Sequence, residues 1–277
     1  MPELPEVETV RRHLACALSG RTLERVRVRR NDMLKGGWRC RALEQELTGL
    51  RVGEIGRRGK NLIIELSGTA VLLAHLGMTG RLCVADADAP AEEHTHLIAD
   101  LCDGRRLIFR DPRRFGHLEL CADGRVDDSE TLRNVGLDAM AGEFTARRLG
   151  EMLAGRTAPV KAALLDQRRV AGIGNIYACE AMFRAGIPPE ARCGELSDEQ
   201  LRRLHRAIRR VLSEAIAAEG TTIASYVTGA GVPGGFRERL RVYGREGERC
   251  RTRGCAGVIE RIVQSNRSTF YCPACQR

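Results

Sequence analysis

The chain has 277 residues with 45 Lys+Arg against 36 Asp+Glu, a formal charge of +9, and 43% hydrophobic content. That composition excludes wholesale disorder, and the length suits one or two domains with a real core. No apolar run approaches the ~18 residues of a membrane span, and the opening MPELPEVETV lacks the basic and apolar regions of a secretory signal, so a cytoplasmic chain with no membrane partner is expected.

Residues 5–18 read as an amphipathic helix. Val7, Val10, Leu14 and Leu18 share one face, Pro5 suits the first turn, and Gly20 suits the stop. A β-rich stretch follows. Leu23, Val26 and Val28 alternate with charged residues, and Leu62–Leu66, Ala70–Ala74, Thr95–Leu101, Arg106–Arg110 and His117–Cys121 are short apolar or alternating runs. Asp103-Gly104 and Asp123-Gly124 are hairpin-turn signals. No long helical pattern separates these strands, which predicts a two-sheet sandwich or a barrel rather than a βαβ fold.

The pattern changes near residue 136. Helices are predicted at about 145–153, 159–167, 175–185 and 197–218. The last opens on a Ser197–Gln200 capping box and carries the apolar stripe Leu201, Leu204, Ile208, Leu212 and Ile216. Arg202, Arg203, Arg206, Arg209 and Arg210 line its other faces and read as a solvated surface. Residues 220–236, punctuated by Gly220, Gly229, Gly231, Pro233, Gly234 and Gly235, form a loop of a length that is usually functional or mobile.

Four constellations carry chemistry. In the first, Cys250-x4-Cys255, 16 residues, then Cys272-x2-Cys275 is a four-thiolate metal spacing. All-thiolate tetrahedral ligation with no open position predicts one structural Zn²⁺. Residues 245–277 carry seven Arg against three Glu, a basic hairpin of the kind that touches nucleic acid, with Arg267 between the cysteine pairs. The other seven cysteines (Cys16, Cys40, Cys83, Cys102, Cys121, Cys179, Cys193) are scattered. They are expected to be buried small hydrophobes in a reducing compartment.

The second constellation is Gly172-Ile173-Gly174-Asn175, opening a helix. With Asn175 as its cap it makes an anion cradle, suited to a DNA phosphate, or else a plain tight turn. Third, Asp111-Pro112-Arg113-Arg114-Phe115-Gly116 lies between two strands. It reads either as paired cations beside an exposed aromatic, for phosphate contact and base stacking, or as a hairpin connection with a core Phe. Fourth, Met1 precedes a small residue, so its removal is expected, leaving Pro2 as a free secondary amine. An α-amino group titrates near ~8 against ~10.4 for Lys, and a secondary amine attacks an aldehyde carbon to form an iminium. Glu3 and Glu6 stand beside it as acid and base.

Taken together, MPELPEVETVRR at 1–12, RRGKNL at 57–62, HLGMTG at 75–80, DPRRFG at 111–116, GIGNIYACE at 172–180, GTT at 220–222 and RSTFYCPACQ at 267–276 resemble the bacterial formamidopyrimidine-DNA glycosylases nearly end to end. The resemblance implies an α+β fold: an N-terminal β-sandwich with an N-terminal helix, a helix–two-turn–helix domain and a C-terminal zinc hairpin. The implied domains are a catalytic sandwich at 1–135, a linker at 136–144, a helical DNA-binding domain at 145–240 with a lesion-capping loop at 220–236, and the four-cysteine finger at 245–277. The implied protein is a monomer acting on damaged double-stranded DNA, which runs across the cleft between domains.

It also implies roles. Pro2 would attack C1′ and form the Schiff base, Glu3 would help open the deoxyribose ring, and Glu6 would support both. Lys60 would contact phosphate and assist β-elimination. Arg267 would clamp phosphates and assist δ-elimination. His75, His94, Arg156, Lys161 and Asn175 would be further DNA contacts, and Met78, Arg113 and Phe115 would fill the gap left by the extruded base. The substrate class implied is oxidised purines, 8-oxoguanine and formamidopyrimidines. The alternatives are an endonuclease VIII-like enzyme for oxidised pyrimidines and a non-catalytic zinc-containing DNA-binding protein. The chain departs from the expected pattern in three places: the x4 spacing of the first cysteine pair, the loop GAGVPGGF without an Asp near Ala230 or an aromatic near Gly235, and Arg156 where a Lys is common.

Overall fold

The computed structural model describes residues 2–88, 92–221 and 234–277. They form two compact units, Met1–Asn134 with Glu219–Gly234, and Val135–Ala218 with Gly235–Arg277.

The first unit opens with helix α1 (Leu4–Leu18), which buries Leu4, Val7, Val10, Leu14 and Leu18. After β1 (Leu23–Val28) and α2 (Cys40–Leu47) come β2 (Val52–Arg58), β3 (Asn61–Leu66), β4 (Val71–His75), β5 (Arg81–Asp86), β6 (Thr95–Leu101), β7 (Arg105–Arg110) and β8 (His117–Cys121). They pair into two antiparallel four-stranded sheets, β1-β6-β7-β5 and β2-β3-β4-β8. The sheets share one core with α1, built from Val10, Leu14, Val26, Leu62, Leu72, Leu97 and Phe109. Two separate sheets over one core make a sandwich, not a barrel.

The structure corrects several expectations. Asp103-Gly104 does join two paired strands, but Asp123-Gly124 leads into a single 3₁₀ turn, Val126–Asp128, and no hairpin. Of the scattered cysteines only Cys121, Cys179 and Cys193 are buried. Cys16 and Cys102 are exposed, while Cys40 and Cys83 are half-buried.

In the second unit, β9 (Leu137–Asp138) pairs in parallel with β10 (Val170–Ala171). The unit's helices are α3 (Ala146–Leu153), α4 (Val160–Leu165), which packs against β10, α5 (Asn175–Ala185) and α6 (Asp198–Ala217). The Ser197–Gln200 capping box opens α6. Leu204, Ile208 and Leu212 are buried along it, while Leu201 and Ile216 are half-buried. Gly186 ends α5 in the left-handed conformation at φ 68. The hairpin β11 (Glu260–Gln264) to β12 (Arg267–Tyr271) turns through Ser265 and Asn266, both at positive φ, the geometry of a type I′ turn.

One carboxylate orders the approach to this hairpin. Glu180, fully buried on α5, accepts from the backbone N–H groups of Arg241, Val242 and Tyr243 at 2.8–3.0 Å. Val242 then packs with Cys179, Phe183 and Ile259. No helix among the described residues is long and apolar enough to cross a membrane.

Candidate active site

The start of α1 gathers the N-terminal residues. Pro2 is buried, and Glu3 and Glu6 are each 2% exposed. Two carboxylates with so little water access must be hydrogen-bonded, and they are. Glu3 is the N-cap, and it forms a reciprocal capping box with Glu6. The Glu6 carboxylate accepts the Glu3 backbone N–H at 2.8 Å and, through its other oxygen, the Thr221 N–H at 2.7 Å. Thr221 follows Gly220, whose φ of +85 admits no ordinary side chain and whose Cβ would meet Glu6 Oε1 at 2.8 Å. Glu6 therefore ties the start of α1 to the root of the 220–236 loop. Residues 222–233 of that loop, with Ala230, lie outside the described residues, as does Met1.

Lys60 follows Gly59 in the β2–β3 turn and is 7% exposed. Arg57 shapes that turn: its Nε meets Glu8 of α1 at 3.2 Å and its Nη1 donates to the Gly59 carbonyl at 2.9 Å. His75 sits opposite Asn61 across β3–β4 and opposite His117 across β4–β8. Its ring stacks on His117 at 5.1 Å. Burial, then the facing His117 and Lys60, push His75 down to about 4, although Asp111 pulls the other way. Its Nδ1 accepts the Gly77 N–H at 3.1 Å, so the neutral ring carries its proton on Nε2 and presents a donor suited to phosphate.

Two loops form a wedge. Leu76–Gly80 carries Met78, and Asp111–Gly116 carries Arg113 and Phe115. They touch backbone to backbone, since a Cβ on Gly77 would meet Gly116 N at 2.4 Å. Asp111, fully buried, accepts from Thr79 Oγ1 and, at 2.7 Å, from Gly116 N–H. Thr79 Oγ1 in turn accepts the Arg113 N–H at 3.2 Å. With its base pinned, the loop projects its tip: Phe115 is 55% exposed, and the Arg113 guanidinium lies 5.0 Å from its ring centroid. The core-Phe reading of this segment is thereby excluded. His94 is exposed just before β6, at a positive φ of 65.

In the second unit the Gly172–Asn175 segment is stapled by Gln167, whose amide accepts from Gly172 N–H at 2.9 Å and donates to the Ile173 carbonyl at 2.7 Å. The cap of α5 is Gly174, not Asn175. The cap thus has no side chain, which suits the close approach of an anion to the helix start. Asn175 instead donates from Nδ2 to the Ser268 carbonyl at 2.9 Å, and the Lys161 ammonium, 2% exposed on α4, donates to the same carbonyl and to Thr269 Oγ1 at 2.7 Å. Both residues fasten the strand that begins at exposed Arg267. Arg156 is exposed after α3, its Nε on the Met152 carbonyl. Arg57, Asp111 and Glu180 fall inside the stretches RRGKNL, DPRRFG and GIGNIYACE but carry no assigned role there, and Gln167 lies outside every motif; each is a polar side chain that serves backbone.

The sulfurs of Cys250, Cys255, Cys272 and Cys275 all lie within 4.8 Å of one another. Cys250–Cys275, Cys255–Cys272 and Cys255–Cys275 stand at 3.8, 3.7 and 3.4 Å. A tetrahedral ion with ~2.3 Å metal–sulfur bonds sets sulfurs about 3.8 Å apart, whereas a disulfide needs about 2.05 Å. The cluster is therefore dimensioned for zinc. Gly257 makes room for it, since a Cβ there would stand 2.8 Å from Cys272 Sγ.

Comparison with known proteins agrees. Residues 1–118 match the profile of the formamidopyrimidine-DNA glycosylase N-terminal domain, 135–227 that family's H2TH domain, and 247–277 the zinc finger found in FPG and IleRS. The chain belongs to the formamidopyrimidine-DNA glycosylase family. It is 45% identical over 285 residues to the formamidopyrimidine-DNA glycosylase of Ruegeria pomeroyi, with both chains wholly covered. The crystal structure of the MutM (FPG) protein from Thermus thermophilus superposes with a TM-score of 0.88 at 41% identity, covering 99% of this chain and 98% of that one. The Lactococcus lactis Fpg in complex with N7-benzyl-Fapy-dG DNA gives 0.90 at 36%, each chain fully covered. As a family member the chain is an enzyme, a base-excision-repair glycosylase, and its hairpin is a structural zinc site.

Proposed function

We propose that this glycosylase excises oxidised purines from duplex DNA and then cleaves the backbone, through Pro2. The observation that carries this reading is the packing of Pro2, Glu3 and Glu6 at one buried helix start, with the Glu6 carboxylate held by two backbone N–H groups.

With Met1 removed, the Pro2 nitrogen attacks C1′ as the C1′–N bond to the base breaks, and the proton lost by the amine is balanced by the one the departing base gains. Glu3 delivers a proton to O4′ as the C1′–O4′ bond breaks, and the open sugar is left joined to Pro2 as an iminium. Lys60 holds a phosphate and assists β-elimination, and Arg267 clamps phosphates and assists δ-elimination. His75, as a neutral donor, joins His94, Arg156, Lys161 and Asn175 at the backbone, the last two also setting the strand that bears Arg267. Met78, Arg113 and Phe115 enter the space of the extruded base, which offsets part of a cost of a few kcal/mol. Zinc, bound by the four cysteines, supplies structure only, with no open position for chemistry.

We place the enzyme in the cytoplasm, as a monomer on damaged duplex DNA. Its domains run as sandwich (1–135), linker (136–144), helical domain (145–240) and finger (245–277).

The test is borohydride trapping on duplexes bearing 8-oxoguanine opposite cytosine, an oxidised pyrimidine, or an abasic site. The expected result is a covalent adduct on the N-terminal peptide, lost in Pro2→Gly, and an intact mass lacking Met1. Retained Met1, or no adduct with any duplex, overturns the mechanism. An adduct with the pyrimidine lesion but not 8-oxoguanine overturns only the purine assignment.

A further inference from the structure

The arginines of α6 are not used by the chemistry above. Arg203, Arg206 and Arg210 recur at helical spacing, and all three are exposed. They line a groove of about 1270 Å³ between α6, the end of α5 and the cysteine hairpin. Arg184, Arg241 and Arg277 line it too, beside Phe183, Ala185 and Ala207. Glu214 is its single acidic lining residue, and that carboxylate is already engaged by Arg184 at 2.7 Å and Arg210 at 2.8 Å. Arg206 meets a carboxylate only at the limit of an ion pair, Glu199 at 3.8 Å, with 70% of its side chain exposed.

So dense a set of like charges repels itself and is relieved by an anionic occupant. The phosphate-facing start of α5, at Asn175, is the other end of an 11-residue helix, about 16 Å from the groove at 1.5 Å per residue. At about 1270 Å³ the groove exceeds the ~300–1,000 Å³ of small-molecule pockets, and apolar side chains lie among its guanidiniums. Guanidinium forks match carboxylates two bonds at a time, and the apolar lining residues Phe183, Ala185 and Ala207 suit a side chain that a DNA backbone lacks.

We propose that this groove docks an acidic peptide segment of a partner protein, one bearing an aromatic or aliphatic anchor among its carboxylates.

The probe is a fluorescein-labelled Glu-Glu-Glu-Phe-Glu-Glu peptide, titrated with the full zinc-loaded chain and followed by anisotropy. Saturable micromolar binding is expected, weakened at least tenfold in Arg206→Glu and in the charge-neutral double variant R206Q/R210Q. Cleavage of an abasic duplex should be unchanged in both. A Gln-for-Glu peptide should not bind. Equal binding by wild type and both variants, or no saturation, overturns the proposal. Parallel loss of undamaged-duplex affinity in R206Q/R210Q, with duplex displacing the peptide, overturns it too, because the groove is then a DNA surface. Circular dichroism and zinc content establish that the variants fold, and either variant alone suffices for the comparison.

Discussion

Glu6 and Glu180 are both buried carboxylates at helices, both satisfied by backbone N–H groups, yet they sit in different units and hold different things. Glu180 is fully buried and collects three consecutive N–H groups from residues 241–243. It has no route to substrate, and what it fixes is the chain entering the zinc hairpin. Glu6 divides its two oxygens between the start of α1, beside the proposed nucleophile Pro2, and Thr221. The same physics, a charged acceptor desolvated in exchange for charge-assisted hydrogen bonds, serves architecture in one unit and the proposed catalytic site in the other.

Breaking Glu180 should have the larger effect. Glu180→Ala strands three N–H donors, that of Val242 buried and those of Arg241 and Tyr243 partly so, at up to roughly 1–3 kcal/mol each. The expected loss is about 4 kcal/mol or more for the second unit, read by urea denaturation with amide-exchange protection at residues 241–243. Zinc retention should fall with it. A variant that keeps its zinc and its stability would show that the hairpin holds itself.

The first unit has a vulnerability of its own, at His75 and His117. Burial leads in pushing both down to about 4 from 6.5, aided at His75 by His117 and Lys60 and at His117 by Lys35. The folded rings resist protons that the unfolded chain accepts between those values. Stability from this source is thus present above about pH 6.5 and lost as pH falls toward 4. The melting temperature is expected to drop by about 5–10 °C from pH 7 to pH 5, with a visibly flatter profile in His117→Asn. Matching profiles would remove the histidines from the account.

How far these features could be read in advance follows from the same distinction between apolar and polar burial. The α1 stripe, the Ser197 capping box and the four cysteines were legible because each is a spacing, and spacing survives in one dimension. Strands β2 and β5 were not. They are the edges of their sheets, and β5 buries only Leu82 while β2 buries only Val52 and Ile55, too few for an alternating pattern. Residues 111–116 stood out for their arginines and phenylalanine, while Asp111, which holds the loop so that Phe115 projects, is a buried acid no hydropathy pattern marks. Asn175 was placed one position off, because Gly174 serves as a cap without a side chain.

Glu6→Gln sharpens the comparison from the other side. The amide keeps the shape and one acceptor oxygen but loses the charge and turns an NH2 donor toward the second backbone N–H, so the fold should lose about 1–3 kcal/mol. The chemical step should slow about tenfold, equivalent to ~1.4 kcal/mol, visible in single-turnover base release with little change in duplex affinity. Equal losses in Glu6→Gln and Glu180→Gln, each confined to stability, would erase the distinction between the two glutamates.

The smallest expected effect is at Lys60. The chain holds 45 Lys+Arg, of which only Lys35, Lys60 and Lys161 are lysines, so a lysine kept at a proposed catalytic turn points to something guanidinium cannot do. Arg57 already stands three positions away, fixed by Glu8 and the Gly59 carbonyl, which supplies permanent positive charge and leaves Lys60 the compact, titratable one. Lys60→Arg preserves charge for phosphate but cannot give up a proton near neutral pH. Base release and KM should stay within about threefold, while β-elimination alone slows about tenfold, measured by following base release and strand scission separately in one time course. If scission keeps pace with base release, positive charge was all that position required, and the proton transfer belongs to Glu3 or Glu6.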